Sequence, residues 1–212
     1  MEVTWLGHSC FCIKGKEKVI VTDPCHQDLD YPLNHLHADI VTISHFHPRH
    51  SCIESMADNP KQVKDPGEYE IGKVFVTGIA TFHDDEKGER KGGNTVYVIE
   101  VDGISLCHLG DLGHHLSSHL LEEIGSIDVL FLPVGEISTI PVDIGVEIVK
   151  QLNPSIVIPM HYKTPACSDL EPVDKFLRRM GIHEAEPKAK LSLTQSSLPA
   201  NMQIVVLSCT EL

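Results

Sequence analysis

The chain has 212 residues, 42% of them hydrophobic and 22% charged, so it can bury a sizeable core and does not have the composition of a disordered segment. Thirty acidic side chains against 17 basic ones give a formal net charge of −13. A surface this acidic argues against nucleic-acid partners, whose binding rests on neutralising phosphates, and against docking on an anionic membrane.

Seven cysteines (Cys10, Cys12, Cys25, Cys52, Cys107, Cys167 and Cys209) form no Cys-x-x-Cys pair. Their odd number argues against a disulfide framework and for thiols in a reducing compartment. The stretch Met1–Gly15 carries Glu2 and His8 and has no basic start, so it does not read as a signal peptide. No apolar run approaches the roughly 20 residues that span a bilayer. The expectation is a soluble, cytoplasmic protein. No composition break marks a boundary, so residues 1–212 read as one domain, built of two similar halves meeting near residue 101.

Short β-branched or aromatic runs predict strands at Val3–Leu6, Phe11–Lys14 and Val19–Thr22, with turns at Gly7 and Lys14-Gly15-Lys16. Ile40–Ile43 is apolar but for Thr42, close to what a strand covered on both faces would be. Strands are expected next at Val74–Ala80 and Thr95–Val101, with the charged, Gly-rich Asp84–Gly93 as an exposed connection. Ile104–Leu109 is a further strand. A helix over Ser117–Ile124 starts at a serine cap and stops at Gly125. Asp128–Leu132 is a buried strand. Pro141–Leu152 is a helix whose Ile144, Ile148, Val149 and Leu152 share one face. Ile156–Ile158 (strand), Pro172–Met180 (helix) and Gln203–Leu207 (strand) complete the chain. A strand-rich half followed by alternating strands and helices suggests two sheets with helices outside.

Fourteen histidines outnumber all the Tyr, Phe and Trp residues. Several directly follow apolar strands, where α/β folds place functional groups. In Ser44-His45-Phe46-His47-Pro48-Arg49-His50, the first two histidines are two residues apart and project the same way from an extended segment. A turn at Pro48 brings His50 back toward them, and three converging imidazoles suit a metal. Phe82-His83-Asp84, His108-Leu109-Gly110-Asp111 and Pro159-Met160-His161-Tyr162 end three more strands in potential ligands.

This series, with Thr4-Trp5-Leu6-Gly7-His8-Ser9-Cys10-Phe11 and Thr22-Asp23-Pro24 at the start, resembles the metallo-β-lactamase superfamily over nearly the whole chain. It is most similar to the compact prokaryotic metal-dependent hydrolases related to ascorbate-phosphate lactonases. The resemblance implies an α/β fold, a four-layer αββα sandwich of two mixed sheets with outer helices and a site at one sheet edge. It implies one metal on His45, His47 and His83, and a second on His50, Asp111 and His161, with Asp111 bridging. Asp111 and His50 would be the catalytic residues. Zn²⁺ suits these donors, in one or two ions, and Mn²⁺, Fe²⁺ and Ni²⁺ fit them too.

One position departs from the family. Its first motif reads His-x-His-x-Asp-His, whereas this chain has Arg49 where the aspartate belongs. Guanidinium is a permanent cation with no lone pair to offer a metal. A +1 charge about 4 Å from a +2 ion is opposed by about 8 kcal/mol at an effective dielectric of about 20. Arg49 must therefore point away, or the second metal is weakened. Arg49 reads either as a binder of a substrate phosphate or carboxylate, or as a mark of reduced activity.

His8 and Lys163 are further candidates for substrate contact, His8 being equally readable as a satisfied core histidine and Lys163 as a solvated side chain. Asp23 could support a ligating histidine or merely shape the turn before Pro24. His114, His115 and His119, with His26, His35, His37 and His183, read as surface residues. The function implied is metal-assisted hydrolysis of a small, anionic ester, lactone or phosphate. The alternative is a catalytically silent metal-binding or ligand-sensing protein of the same fold. A nuclease is disfavoured by the charge. A diiron reductase is disfavoured by His47 where that branch has Glu. The substrate and any homo-oligomeric state are left open.

Overall fold

A computed structural model describes residues 1–25, 36–53, 56–57 and 59–209. The first sheet takes β1 (Glu2–Gly7), β2 (Cys10–Lys14), β3 (Val19–Thr22), β4 (Ile40–Thr42) and β5 (Lys61–Val63). The second takes β6 (Gly67–Ile71), β7 (Val74–Phe82), β8 (Gly93–Val101), β9 (Ile104–His108), β10 (Val129–Pro133) and β11 (Ile156–Met160). Late in the chain, β12 (Leu191–Ser192) returns to the first sheet and β13 (Gln203–Ile204) extends the second. The orders are β12-β1-β2-β3-β4-β5 and β13-β11-β10-β9-β8-β7-β6.

The two sheets repeat one plan. β1, β2 and β3 pair antiparallel and then β3, β4 and β5 pair parallel. β7, β8 and β9 pair antiparallel, followed by parallel β9, β10 and β11. The halves expected from sequence are thus present, but the chain changes sheets between Val63 and Gly67 rather than near residue 101. β5 and β6 hid that change. Both are edge strands with mostly exposed side chains: β5 is only three residues long, and the alternation of β6 is confined to Tyr69 and Ile71, too short to stand out.

Alternation along the first sheet divides its side chains between two cores. Val3, Trp5, Phe11, Ile13, Ile20 and Ile40 face the second sheet in the main core, where they meet Val96, Ile99, Leu106 and Phe131. Leu6, Cys10, Val21 and Val41 face outward into a smaller core with Cys25, Ala38, Met56, Cys167 and Leu170. Those covering residues lie in turns, bridges and coil rather than helix. Among the described residues the α-helices are α1 (Ser118–Ile124), α2 (Val142–Leu152) and α3 (Val173–Arg179), all in the second half. The chain forms the expected α/β sandwich of two mixed sheets, with its outer layer on the first sheet built, among the described residues, without helix.

The helices start and stop for local reasons. The Ser117 side chain accepts the Leu120 N–H, and Gly125, at φ 66°, ends α1. Pro141 precedes α2, Glu136 accepts the Val142 N–H at 3.0 Å, and Asn153 closes the helix in the left-handed region. No helix among the described residues is long and apolar enough to cross a membrane.

Polar contacts join the sheets at one end. The Thr95 N–H donates to the Ser44 carbonyl at 2.8 Å. The buried Tyr97 hydroxyl reaches the Ile43 and Val63 carbonyls at 2.9 and 3.2 Å. Tyr97→Phe removes that donor and leaves two buried acceptors short of it. We expect a loss of about 1–3 kcal/mol in unfolding free energy, measured by denaturant titration, with the native circular dichroism spectrum retained.

Candidate metal centre

Each candidate ligand follows a strand, and the strands all end at the same edge of the sandwich. His8 follows β1, Asp23 follows β3, the His45–His50 segment follows β4, His83 follows β7, Asp111 lies just past β9 and His161 follows β11. His8, Asp23 and His161 take left-handed backbone angles, φ 52°, 38° and 51°, which side-chain-bearing residues rarely adopt. At β1 a register irregularity between Trp5 and Gly7 opens this turn.

Asp111 is the hub. Its Oδ2 lies 3.2 Å from His83 Nε2, 3.2 Å from His161 Nε2 and 3.5 Å from His50 Nε2. The donor atoms fall into three close groups: His45 with His47 and His50, His45 with His83 and Asp111, and His8 with His50 and His161. Within each group all atoms are within 4.8 Å of one another. All seven residues line one cavity of about 270 Å³, together with Arg49, Ile137, Ser138, Asp169 and Leu170.

Asp23 holds the histidine segment from behind. Its Oδ2 is 2.9 Å from His50 Nδ1, so that nitrogen carries the proton and Nε2 keeps its lone pair toward the cavity. The same carboxylate accepts the Ser44 N–H at 2.7 Å and the Ser44 hydroxyl at 2.5 Å. Ser44 Oγ lies 3.0 Å from His45 Nδ1, which extends the orientation to the next ring. His47 Nδ1 accepts the Arg49 N–H at 3.2 Å.

Charge follows from this layout. Burial raises and the His161 and His50 neighbours lower the Asp111 carboxyl, which ends well below the usual carboxylate range. Burial would raise the Asp23 carboxyl, but the His50 hydrogen bond and the neighbouring His108 override it and leave Asp23 lowered. Burial pulls His50 down, but Asp111 and Asp23 pull harder and raise it. Burial, then His50, lowers His45 to about 4. Burial followed by the His161 and His50 charges holds His8 well below its ordinary value. Burial and His50 lower His47 as well. An ionised Asp111 beside the lowered His8, His45 and His47 is the protonation pattern that cation binding requires of those groups.

The unsatisfied atoms point the same way. Among the described residues, buried His8 Nε2, His83 Nδ1, Asp111 Oδ1 and His161 Nδ1 have no hydrogen-bond partner. An unpaired buried polar atom costs about 1–3 kcal/mol, so four around one cavity need an explanation. Imidazole nitrogens with a shared carboxylate suit a first-row divalent cation. The residues present therefore fit a metal.

Several supporting residues escaped the sequence reading. Asn94 donates to Thr81 Oγ1 and the Leu109 carbonyl and accepts the Asp111 N–H at 3.0 Å. Asp84, directly after His83, accepts four backbone N–H groups, from Glu86, Gly88, Arg90 and Lys91, and so folds the connection Asp84–Gly93 under that ligand. A side chain at Gly113 would overlap the His83 backbone, and one at Gly135 would overlap the His161 carbonyl. The local cue for Ser44 and Asp84 was their adjacency to a histidine, and Asn94 carried none.

Of the remaining candidates, Arg49 reaches the cavity rim with its guanidinium 3.7 Å from Asp169 Oδ2. Lys163 is exposed and outside the cavity lining. His37, His115, His119 and His183 are exposed and His114 is half-buried, accepting the Phe82 N–H. His26 and His35 lie outside the described residues. His108 is fully buried, neither surface nor cavity.

Two sheets of mirrored plan with a histidine- and aspartate-lined cavity at one edge define a metallo-β-lactamase-type sandwich. Residues 2–161 match the β-lactamase superfamily domain, and the chain belongs to that superfamily. Within it, the chain falls in the branch of metal-dependent hydrolases. A UPF0173 metal-dependent hydrolase of Thermococcus onnurineus is 30% identical over 84% of this chain and 92% of its own. One from Pyrococcus horikoshii is 28% identical over 85% and 92%. A crystal structure of a metallo-β-lactamase superfamily protein from Thermotoga maritima superposes with a TM-score of 0.81 at 39% identity, covering 97% of each chain.

Two outcomes test the supports. Backbone N–H groups lower Asp84 to about 2, against burial, from an ordinary 3.8. Its contribution to stability is fully present above the unfolded value and is lost as pH falls from about 3.8 to about 2. Thermal scans should therefore show Asp84→Asn less stable than wild type at neutral pH, with the gap closing below about pH 4. Gly135→Ala should displace His161 and weaken metal affinity by about ten- to a hundredfold in chelator competition.

Proposed function

We propose that the protein hydrolyses a small anionic ester, lactone or phosphate with Zn²⁺ held by His45, His47 and His83 on one side and by His50 and His161 on the other, Asp111 lying between. The observation that carries this reading is Asp111 Oδ2 at 3.2–3.5 Å from three imidazole nitrogens on three separate strand ends. A bound divalent cation would supply Lewis acidity, lowering the pKa of water to about 7 and polarising the scissile oxygen.

The chain's own groups do the rest. Asp111, ionised and buried, accepts a hydrogen bond from the attacking water and so orients it, while the proton the water loses passes to solvent. Asp23 keeps His50 in the tautomer whose Nε2 faces the cavity. Ile137, Ser138 and Leu170 at the rim limit the space around the reacting group. Arg49 receives the substrate's negative group. Its ion pair with Asp169 is long and its side chain about one-third exposed, so an incoming phosphate or carboxylate replaces Asp169 without stranding a buried charge. The −13 net charge favours a small substrate over nucleic acid. The cysteine pattern of the sequence favours the cytoplasm.

His45→Ala and His161→Ala should each lower hydrolysis of a lactone and phosphoester panel by at least about a hundredfold, as chelation should. Full hydrolysis by the metal-free protein would sink the proposal. Arg49→Gln should raise KM for anionic substrates about ten- to a hundredfold, matching the 1.5–3 kcal/mol of a charged hydrogen bond, and leave neutral esters unchanged. A wild type inert on the whole panel, gaining activity only on Arg49→Asp, would instead mark the silent reading as correct.

A further inference from the structure

We propose that His8 is itself a metal ligand, completing with His50 and His161 a three-imidazole position beside Asp111. The inference rests on the metal-dependent reading above and specifies the second position within it. His8, His50 and His161 offer donor atoms within 4.8 Å of one another. The His8 ring centre lies 4.1 Å from that of His161 and 4.9 Å from that of His50. His8 is 1% exposed, and among the described residues its Nε2 has no partner. Its Nδ1 lies 3.7 Å from Cys167 Sγ, which leaves Nε2 as the donor.

The backbone fixes this imidazole against its neighbour. The His8 carbonyl accepts from Trp5 Nε1 and from the His161 N–H, each at 3.0 Å. The two rings are thus registered across the sheet boundary rather than brought together by chance rotamers. His108 provides the internal contrast. It is also fully buried, but its Nε2 donates to the Ser9 carbonyl at 2.9 Å and its Nδ1 accepts the Gly110 N–H at 3.2 Å. That is how a structural histidine is satisfied in this protein, and His8 is not satisfied that way.

Arg49 explains the need. It stands between His47 and His50, has no lone pair, and turns to Asp169. The His45–His50 segment therefore offers no carboxylate to the cation beside His50 and His161, and a nitrogen from β1's end takes that place. The resulting donor set is nitrogen-rich, with one shared carboxylate. It favours Zn²⁺, Co²⁺ or Ni²⁺ over Mn²⁺.

Metal-free protein titrated with Zn²⁺ against a chromophoric chelator tests this. Wild type should bind two equivalents. His8→Ala should keep the first and weaken the second by about a hundredfold or more. His8→Asn, which tolerates the left-handed backbone, should behave alike, with folding checked by circular dichroism. Long-range ¹H–¹⁵N spectra of wild-type imidazoles read the contact without substitution: the His8 Nε2 resonance should move with the second equivalent. Two equivalents of unchanged affinity in the His8 variants would overturn the proposal. So would a single equivalent common to wild type and variants, or an unmoved His8 resonance. Each of those outcomes leaves metal-dependent hydrolysis standing, whereas a wild type that binds no metal overturns both readings.

Discussion

Two carboxylates withdrawn from water organise the site end of this protein. Asp23 is fully buried and Asp111 nearly so, and both stay ionised. A buried charge is tolerated only when its oxygens are supplied with hydrogen bonds or opposite charge. Asp23 draws its compensation from Ser44 and His50, and Asp111 from His50, His83 and His161. His50 serves both, through opposite ring nitrogens. The two carboxylates are therefore coupled through one imidazole, and the strands that carry them, β3 and β9, are equivalent members of the two sheets.

That coupling accounts for the dense packing around the cavity. Asn94 fixes the Asp111 backbone, and glycines at 113 and 135 let neighbouring loops approach the His83 and His161 backbones where a Cβ could not fit. Candidate ligands held by strand ends and supported from behind would keep their geometry before a cation arrives, which is the condition for strong and selective binding. The rim is different in kind. Arg49, Ile137 and Asp169 are partly or largely exposed, so substrate preference can vary there without disturbing the buried carboxylates.

The mostly apolar runs Ile40–Ile43, Asp128–Leu132 and Ile156–Ile158 could be read from sequence because burial leaves a mark in composition. The histidines were visible for a related reason, since each interrupts the end of such a run. What escaped was whatever depends on which strands lie side by side. Asn94 is an ordinary polar residue until β8 lies beside the Asp111 loop. The change of sheet at 63–67 passes through short edge strands whose side chains are mostly exposed, and among the described residues the outer cover of the first sheet is coil without period. His8 was seen as one of several possibilities, and the orphaned nitrogen that distinguishes it from His108 exists only in three dimensions.

The left-handed backbone at His8, Asp23 and His161 has an energetic consequence. Each such residue costs about 1 kcal/mol or more in conformational energy. Three together are a sizeable part of the roughly 5–15 kcal/mol that keeps a domain folded. Glycine at any of these positions would relax the chain while deleting a functional side chain. The fold alone would be served as well or better by glycine at these positions, so the strain carried by two histidines and an aspartate is a cost that only their side chains offset.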